Sequence, residues 1–232
     1  MLIVGLTGSI ATGKSAAAAM LRRLNFQVYD SDKAAHQLMG PGGRAVDDII
    51  SLFGSEVVNM ATGVNRICLG NIVFSDPVKR VLLEQILHPL IREQKQRFIQ
   101  HNRLQRRKAV FLDVPLLFET GGDRDCDRVI TLWCPAFLQS ARALRRRGMT
   151  EEKLSSVVNA QWPQSKKWHL ADLALPSSLG QAETFRRLKR WLRTENLISK
   201  KGRLSLCVTW FSIPKQLVYL QRKVIALLKL VL

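Results

Sequence analysis

The sequence lacks the features that mark secreted, zinc-binding and membrane-spanning proteins. Its four cysteines lie far apart in the chain: Cys68, Cys126, Cys134 and Cys207. Because they form no CxxC pair, we expect neither a zinc site nor a disulfide scaffold, but reduced and mostly buried thiols. No apolar run reaches the roughly 18 residues of a membrane span, and the start MLIVGL is too short, and lacks the basic flank, for a signal peptide. We therefore expect a cytoplasmic protein.

Acidic residues are also scarce. The chain has 18 Asp and Glu against 36 Lys and Arg, a net charge of +18. Such a charge indicates anionic partners, but it does not distinguish nucleic acid, a membrane surface and small phosphorylated molecules. Twelve Lys and Arg but a single acid, Glu195, lie in the last 47 residues. The excess charge is thus concentrated at the C-terminal end, and the rest of the chain is only moderately basic.

The hydrophobic pattern predicts an α/β fold. With 47% hydrophobic residues among 232, the chain can bury a substantial core. Five short runs of apolar and β-branched residues predict strands, each followed by a segment of helical composition. They are residues 2–7, 26–32, 108–119, 128–134 and 171–176. This alternation is typical of a doubly wound α/β fold, with a parallel five-stranded sheet flanked by helices.

The segment between the second and third strands has almost no strand character. We expect residues of about 33–107 to form a helical insertion, in which Asp76 caps a helix that begins at Pro77. Taken alone, the pair His88–Pro89 favours a junction between two helices over a site histidine.

Two more regions follow the fourth strand. Residues 143–161 predict two helices that are broken at Gly148, with Thr150 capping the second. After the fifth strand, a last helix closes a domain of residues 1–195 near Thr194.

Residues 196–232 form a basic extension. Lys215, Arg222 and Lys229 recur every seven residues, so that on a helix they would share one side, opposite Leu, Val and Ile. A basic amphipathic helix can make weak contact with an anionic membrane surface. The alternative is a poorly ordered terminus.

The clearest motif is GSIATGKS, residues 8–15, which matches the phosphate-loop pattern G-x-x-x-x-G-K-[ST]. It lies between a predicted strand and a predicted helix, where backbone N–H groups and the helix N-terminus can hold phosphates. We expect Lys14 to reach the β- and γ-phosphates and the Ser15 hydroxyl to ligate Mg²⁺. The predicted nucleotide-binding residues are Gly8, Ala11, Thr12, Gly13, Lys14, Ser15 and Ala16, joined by Arg146. The alternative is a purely structural turn.

Acidic residues end the apolar runs of two predicted strands, at the edge where α/β sheets bind ligands. Asp30 and Asp32 could accept the proton of an attacking hydroxyl, or they could merely cap the next helix. Asp113 ends the run AVFLD, as a Walker-B acid does, and is a candidate for the Mg²⁺ shell. Its alternative role is a structural ion pair.

Four arginines follow the fourth strand: Arg142, Arg145, Arg146 and Arg147. At four residues' spacing, Arg142 and Arg146 share a helix face and could close over the phosphates. A solvated basic face is the alternative.

Seven short motifs lie along residues 1 to about 194. They are GLTGSIATGKS, VYDSD, PGG, VNRICLGNIVFSD, LEQILHPLI, LDVPLLFE and RRGMTEEK, the last followed by AQ at 160–161. In this order and spacing they resemble the dephospho-CoA kinase family, whose members transfer the γ-phosphate of ATP to the ribose 3′-hydroxyl of dephospho-CoA in the last step of coenzyme A synthesis.

The resemblance implies roles for individual residues. It implies a P-loop NTPase fold with a nucleotide-binding core, a helical acceptor-binding region and a mobile lid of about 138–168, and it implies ATP as co-substrate with Mg²⁺. Asp32, Lys14 and Arg142 are then catalytic, and Arg142 and Arg146 belong to the lid. The implied acceptor contacts are Asp32, Arg66, His88, Pro89, Leu116 and Leu117.

The chain departs from the family pattern at several positions. Ser9, Ala11 and Ala16 stand where the phosphate loop usually has other small residues, and His36 stands near a usual Arg. In ADLALPSSLG, residues 171–180, the family's Asn is missing, and Ser177 or Ser178 lies nearby. Adenine recognition there would be weaker or made by backbone groups.

Three other functions fit part of the pattern. A nucleoside monophosphate kinase explains the phosphate loop but not HPLI with VPLLFE. A nucleic-acid-binding NTPase would use the basic charge, although the core shows no aromatic–basic interleaving, and we expect no nucleic acid partner. A non-catalytic nucleotide-binding protein is the third. The oligomeric state is open.

Overall fold

The computed structural model describes residues 1–59 and 61–199, and residues 1–198 form one compact unit. The strands are β1 (Leu2–Gly8), β2 (Gln27–Asp30), β3 (Val58–Asn59), β4 (Gly63–Val64), β5 (Ala109–Asp113), β6 (Arg128–Trp133) and β7 (Leu173–Pro176). The helices are α1 (Lys14–Arg23), α2 (Ser31–Leu38), α3 (Val46–Phe53), α4 (Arg66–Ser75), α5 (Pro77–Leu104), α6 (Ala136–Leu144), α7 (Glu151–Asn159), α8 (Gln164–Leu170) and α9 (Gln181–Thr194). From residue 200 onward, the predicted extension lies outside the described residues.

The central sheet has five strands in the order β2-β5-β1-β6-β7, and every pairing is parallel. This confirms the predicted fold class. The second strand is shorter than expected because the Asp30 side chain accepts a hydrogen bond from the Lys33 N–H and so starts α2 at Ser31. Asp32 therefore lies in a helix and not at a strand end.

Both faces of the sheet are covered by helices. Since side chains alternate along a strand, Val4 and Leu6 of β1 pack with α1 and α9 on one face. Ile3 lies on the other face, where Phe98 and Ile99 of α5 cover the sheet. Burial on both faces explains why the strand sequences read as continuous apolar runs.

The insertion has its own core, formed by α3, α4 and the first half of α5. It also holds a feature that the sequence does not predict, the short antiparallel hairpin of β3 and β4, in which Val58 pairs with Val64. Asp76 caps α5 as predicted, since its carboxylate accepts hydrogen bonds from the Val78 and Lys79 N–H groups.

The prediction of a helix junction at His88–Pro89 is wrong. Pro89 lies inside α5, which is 28 residues long and continues to Leu104. Proline removes one helical hydrogen bond, here the one to the Gln85 carbonyl. The helix tolerates this loss because Leu87, Leu90 and Ile91 pack against the core of the insertion.

Of the boundaries predicted after β6, the start of α7 agrees with the structure, whereas α6 ends at Leu144, before the predicted break at Gly148. The chain turns at Gly148, which has a φ of +77°, and the Thr150 hydroxyl caps α7 by accepting the Lys153 N–H at 3.3 Å. The last helix ends at Thr194, as expected.

No disulfide joins the cysteines at positions 68, 126 and 134. Within the described part of the chain, every helix is too short or too polar to cross a membrane.

Candidate active site

The phosphate loop connects β1 to α1 and is closed by its own side chains. The buried Thr12 hydroxyl donates a hydrogen bond of 2.8 Å to the Ser9 carbonyl. Gly13 has a φ of +97° and directly precedes α1, a backbone conformation that favours glycine. The residues that depart from the family pattern, Ser9 and Ala11, are accommodated within this turn. The positive end of α1 is thus directed at the loop, as an anion site requires.

A cavity of about 560 Å³ lies over the loop. Besides residues 8–16, its walls include Asp32, Pro115, Arg142, Arg146, Gln161 and Ser177. The structure therefore brings together the predicted phosphate-binding residues, the predicted base and both predicted lid arginines.

Asp113 is the last residue of β5 and contacts Lys14, which lines this cavity. Its Cα is in register with Leu6 of β1 and Asp30 of β2, and its carboxylate forms an ion pair and hydrogen bond with the Lys14 ammonium. Burial raises the pKa of Asp113, although the Lys14 charge lowers it; the nearby carboxylates of Asp30 and Asp32 raise it further. The alternative role of a structural ion pair is thus realised in this conformation, with the phosphate-loop lysine as the partner.

The two acids of the VYDSD motif have different environments. Asp30 caps α2 through the Lys33 N–H at 3.0 Å, and its carboxylate lies 3.9 Å from the Arg22 guanidinium. Asp32, in the first turn of α2, faces the cavity that holds Lys14. The capping alternative therefore holds for Asp30, and Asp32 remains the candidate base.

Arg142 links α6 to the segment that follows β7. Its guanidinium donates hydrogen bonds to the Ser177 hydroxyl at 2.8 Å and to the Ser177 carbonyl at 3.0 Å. Arg146 is not on the same helix, because α6 ends at Leu144. It lies in the following turn, where its N–H donates to the Ala143 carbonyl, and it still lines the cavity.

Apart from Asp32, the predicted acceptor contacts do not line this cavity. Arg66 is exposed at the start of α4, and His88 and Pro89 are exposed on α5. Leu116 is 37% exposed, whereas Leu117 is 1% exposed and packs in the core beside Gly5. The Leu117 side chain is thus taken up by the core, and a contact of Leu117 with the acceptor stays a prediction.

Sequence reasoning misses the roles of Gln139 and Gln161 beside the phosphate loop, and it names Pro115 only as part of the LDVPLLFE motif. The Pro115 carbonyl accepts a hydrogen bond of 3.0 Å from the Thr7 hydroxyl, which fixes the turn after β5 at the cavity wall. Gln139 and Gln161 bind the backbone of the phosphate loop at Ile10. The AQ pair of the sequence is the one signal for Gln161, and it gives no indication of a contact 151 residues away.

Comparisons with known sequences identify the family of the chain. A sequence model of dephospho-CoA kinase matches residues 2–183. A dephospho-CoA kinase of Rhodospirillum rubrum is 45% identical over 188 residues, which cover 81% of this chain and 89% of that protein. One from Paramagnetospirillum magneticum is 47% identical over 167 residues, 72% of this chain and 78% of that protein. A solved dephospho-CoA kinase from Campylobacter jejuni is 25% identical with a TM-score of 0.63, over 84% of this chain and 98% of that one.

Proposed function

The chain belongs to the dephospho-CoA kinase family, and from this premise we propose that it transfers the γ-phosphate of ATP to the ribose 3′-hydroxyl of dephospho-CoA. The products are coenzyme A and ADP. The observation that supports this proposal at the level of residues is the shared cavity, where the phosphate loop, the carboxylate of Asp32 and two guanidinium groups meet.

The nucleotide would be held by charge and by backbone geometry. The N–H groups of residues 11–16 and the N-terminus of α1 would bind the phosphates, and Lys14 would exchange its contact with Asp113 for one with the β- and γ-phosphates. Arg142 and Arg146 would then neutralise the charge that spreads over the transferring group. Catalysis of this kind depends mainly on positioning.

Asp32 would act on the acceptor. Its carboxylate would accept the proton of the 3′-hydroxyl as the ribose oxygen bonds to the γ-phosphorus and the bond from that phosphorus to the bridging oxygen of ADP breaks. Arg66, His88, Pro89 and Leu116 lie on the helical insertion and on the turn after β5. We assign them to acceptor binding in a state in which the insertion encloses the substrate.

The donor set of the site fits Mg²⁺. Ser15 and Asp113 offer a hydroxyl and a carboxylate, the oxygen ligands that this ion prefers. Among the described residues no group of three or more His, Cys, Asp and Glu could hold a metal by itself, so the ion would be shared with the phosphates of the nucleotide. When bound, Mg²⁺ would neutralise charge on the β- and γ-phosphates.

Acceptor-dependent release of ADP tests the function. We expect ATP with Mg²⁺ to give ADP when dephospho-CoA is added, and far less with AMP, adenosine or pantothenate. Lys14→Ala serves as the inactive control. Preference for AMP would instead assign a nucleoside monophosphate kinase, and release that depends on added DNA would assign a nucleic-acid-binding NTPase. Absence of any release with dephospho-CoA would reject the proposal.

A further inference from the structure

The peptide groups of Ile10 in the phosphate loop are held by side chains from outside the loop. The Ile10 N–H donates a hydrogen bond of 3.0 Å to Oε1 of Gln161, which lies after α7. The Ile10 carbonyl accepts a hydrogen bond of 3.0 Å from Nε2 of Gln139, on α6. We call Gln139 and Gln161 the glutamine clamp.

The clamp is itself fixed in place. Gln139 is 6% exposed, and its Oε1 accepts a hydrogen bond of 2.8 Å from Gln164 Nε2. Gln164 in turn accepts the Cys134 N–H at 3.1 Å. Because an amide side chain has one donating and one accepting end, this chain of bonds fixes the orientation of Gln139. The carbonyl of Ile10 therefore has a donor with a defined direction.

The next residue shows why the loop needs such support. Ala11 has a φ of +60°, in the left-handed region that an L-residue with a Cβ atom occupies only at a cost. Strained positions of this kind persist when the surrounding structure fixes them. The Ala11 methyl also packs with Ala143 and Leu154, which flank the turn between α6 and α7. Packing explains an alanine here, and the clamp holds the peptide immediately before it.

We propose that Gln139 and Gln161 are positioning residues that hold the phosphate loop in the shape that accepts a nucleotide. Both belong to the segment of about 138–168 that the sequence predicts as the lid. The clamp thus couples the shape of the loop to the position of that segment, and binding of phosphates is strongest when both glutamines are engaged. The turnover part of this inference rests on the proposed kinase function, but nucleotide binding does not.

Gln161 is the better residue to test, because it is only half-buried, whereas a substitution of the buried Gln139 endangers folding. Gln161→Leu removes the acceptor of the Ile10 N–H at similar side-chain size. We expect ADP, titrated by calorimetry, to bind about 3- to 10-fold more weakly, the usual range for one lost hydrogen bond. The KM for ATP should rise by the same factor, while the KM for dephospho-CoA stays unchanged. Gln100→Leu, an exposed glutamine on α5, is the matched control.

Two further variants separate positioning from general stability. Ala11→Gly removes the left-handed strain, so the double variant Gln161→Leu with Ala11→Gly should recover at least half of the lost ADP affinity. Gln161→Glu keeps an oxygen that can accept the Ile10 N–H but places a charge near the phosphates. Its ADP affinity should therefore increase as the pH falls and the new carboxyl group becomes protonated.

The outcomes are distinguishable. Unchanged ADP affinity in Gln161→Leu overturns the proposal, and so does a loss of affinity that Ala11→Gly fails to restore. If the unmodified protein binds ADP but does not phosphorylate dephospho-CoA, the proposed function fails while the binding comparison still decides the role of the clamp.

Discussion

Asp30 and Asp32 are two positions apart in the chain, but their side chains lie in different environments. Asp32 faces the cavity with Lys14, whereas Asp30 caps a helix. We expect Asp32→Asn to lower kcat by about 10²- to 10⁴-fold, the usual contribution of a positioned base, and to leave ADP binding within about 2-fold, because the phosphates do not depend on a base. Steady-state kinetics with dephospho-CoA and calorimetry with ADP measure the two effects.

Asp30→Asn is the matched control for that experiment. It makes the same change of charge, and asparagine caps a helix as well as aspartate does. Turnover should stay within about 3-fold of the unmodified enzyme. Even complete loss of the cap would cost only about 1 kcal/mol of stability. Equal losses in the two variants would show that charge near β2, and not a base at position 32, supports the reaction.

Asp113 makes the stability of the protein depend on pH. Burial raises its pKa above the ordinary value of 3.8, even with the Lys14 charge beside it. A carboxyl whose pKa is raised by folding contributes stability that is complete below pH 3.8 and is lost as the pH rises through the raised value. The free energy of unfolding of the unmodified protein, minus that of Asp113→Asn, should therefore fall as the pH rises through this range. Urea titrations at a series of pH values measure it. A difference that grows with pH would show that the Lys14 charge outweighs burial.

At the scale of elements, local chemistry predicts boundaries well where one residue decides them. Asp76 with Pro77, and Thr150, mark helix starts that the structure reproduces. Boundaries that depend on tertiary packing are harder to predict. The sequence predicts a break at His88–Pro89, but α5 continues because its apolar face is buried against α3 and α4.

The candidate site shows the same limit. The phosphate loop, Asp32 and Asp113 are predictable because each lies at or just after the end of a strand, at the edge where a parallel sheet binds ligands. The clamp at Ile10 is not predictable, since its glutamines come from positions more than 120 residues away in the chain. The burial of Leu117 cannot be predicted from the sequence either. Leu116 and Leu117 are adjacent and identical, and only the folded turn leaves the first exposed and buries the second.

A buried ion pair joins the segment after β5 to helix α8. Glu119, after the β5 turn, lies with Oε1 2.7 Å from the Lys167 ammonium of α8 and accepts the Trp162 N–H at 2.8 Å. Lys167 is 1% exposed. We expect Lys167→Met to lower the free energy of unfolding by about 3–5 kcal/mol, because it leaves Glu119 as an uncompensated buried charge. Urea denaturation at neutral pH measures the loss.

Two comparisons make that prediction specific. Adding Glu119→Gln to Lys167→Met should recover part of the loss, since the amide keeps an acceptor for the Trp162 N–H without a charge. Arg80→Met breaks the exposed pair with Glu84 at 3.6 Å and should cost less than about 1 kcal/mol. If the double variant were less stable than Lys167→Met alone, the pair would not act through its charge.

At the scale of the whole molecule, the residues assigned to the site belong to the unit of residues 1–198, and the family match ends at residue 183. Residues 200–232 add seven Lys and Arg and no acid. Deleting them should therefore leave kcat, KM and the midpoint of thermal unfolding unchanged. Because each basic residue near an anionic surface contributes about 1 kcal/mol, the same deletion should abolish most of the binding to vesicles that contain phosphatidylserine.

Co-sedimentation of the full chain and of the truncated chain with such vesicles tests this expectation. Vesicles of phosphatidylcholine alone are the control, because they have an apolar interior but no net negative charge. They should bind neither protein. Binding of the full chain should also weaken as salt is added, since the Debye length falls to about 10 Å at 0.1 M. If the two chains sediment equally, the basic residues that bind the membrane lie before residue 200. Loss of turnover on truncation would instead give residues 200–232 a part in catalysis.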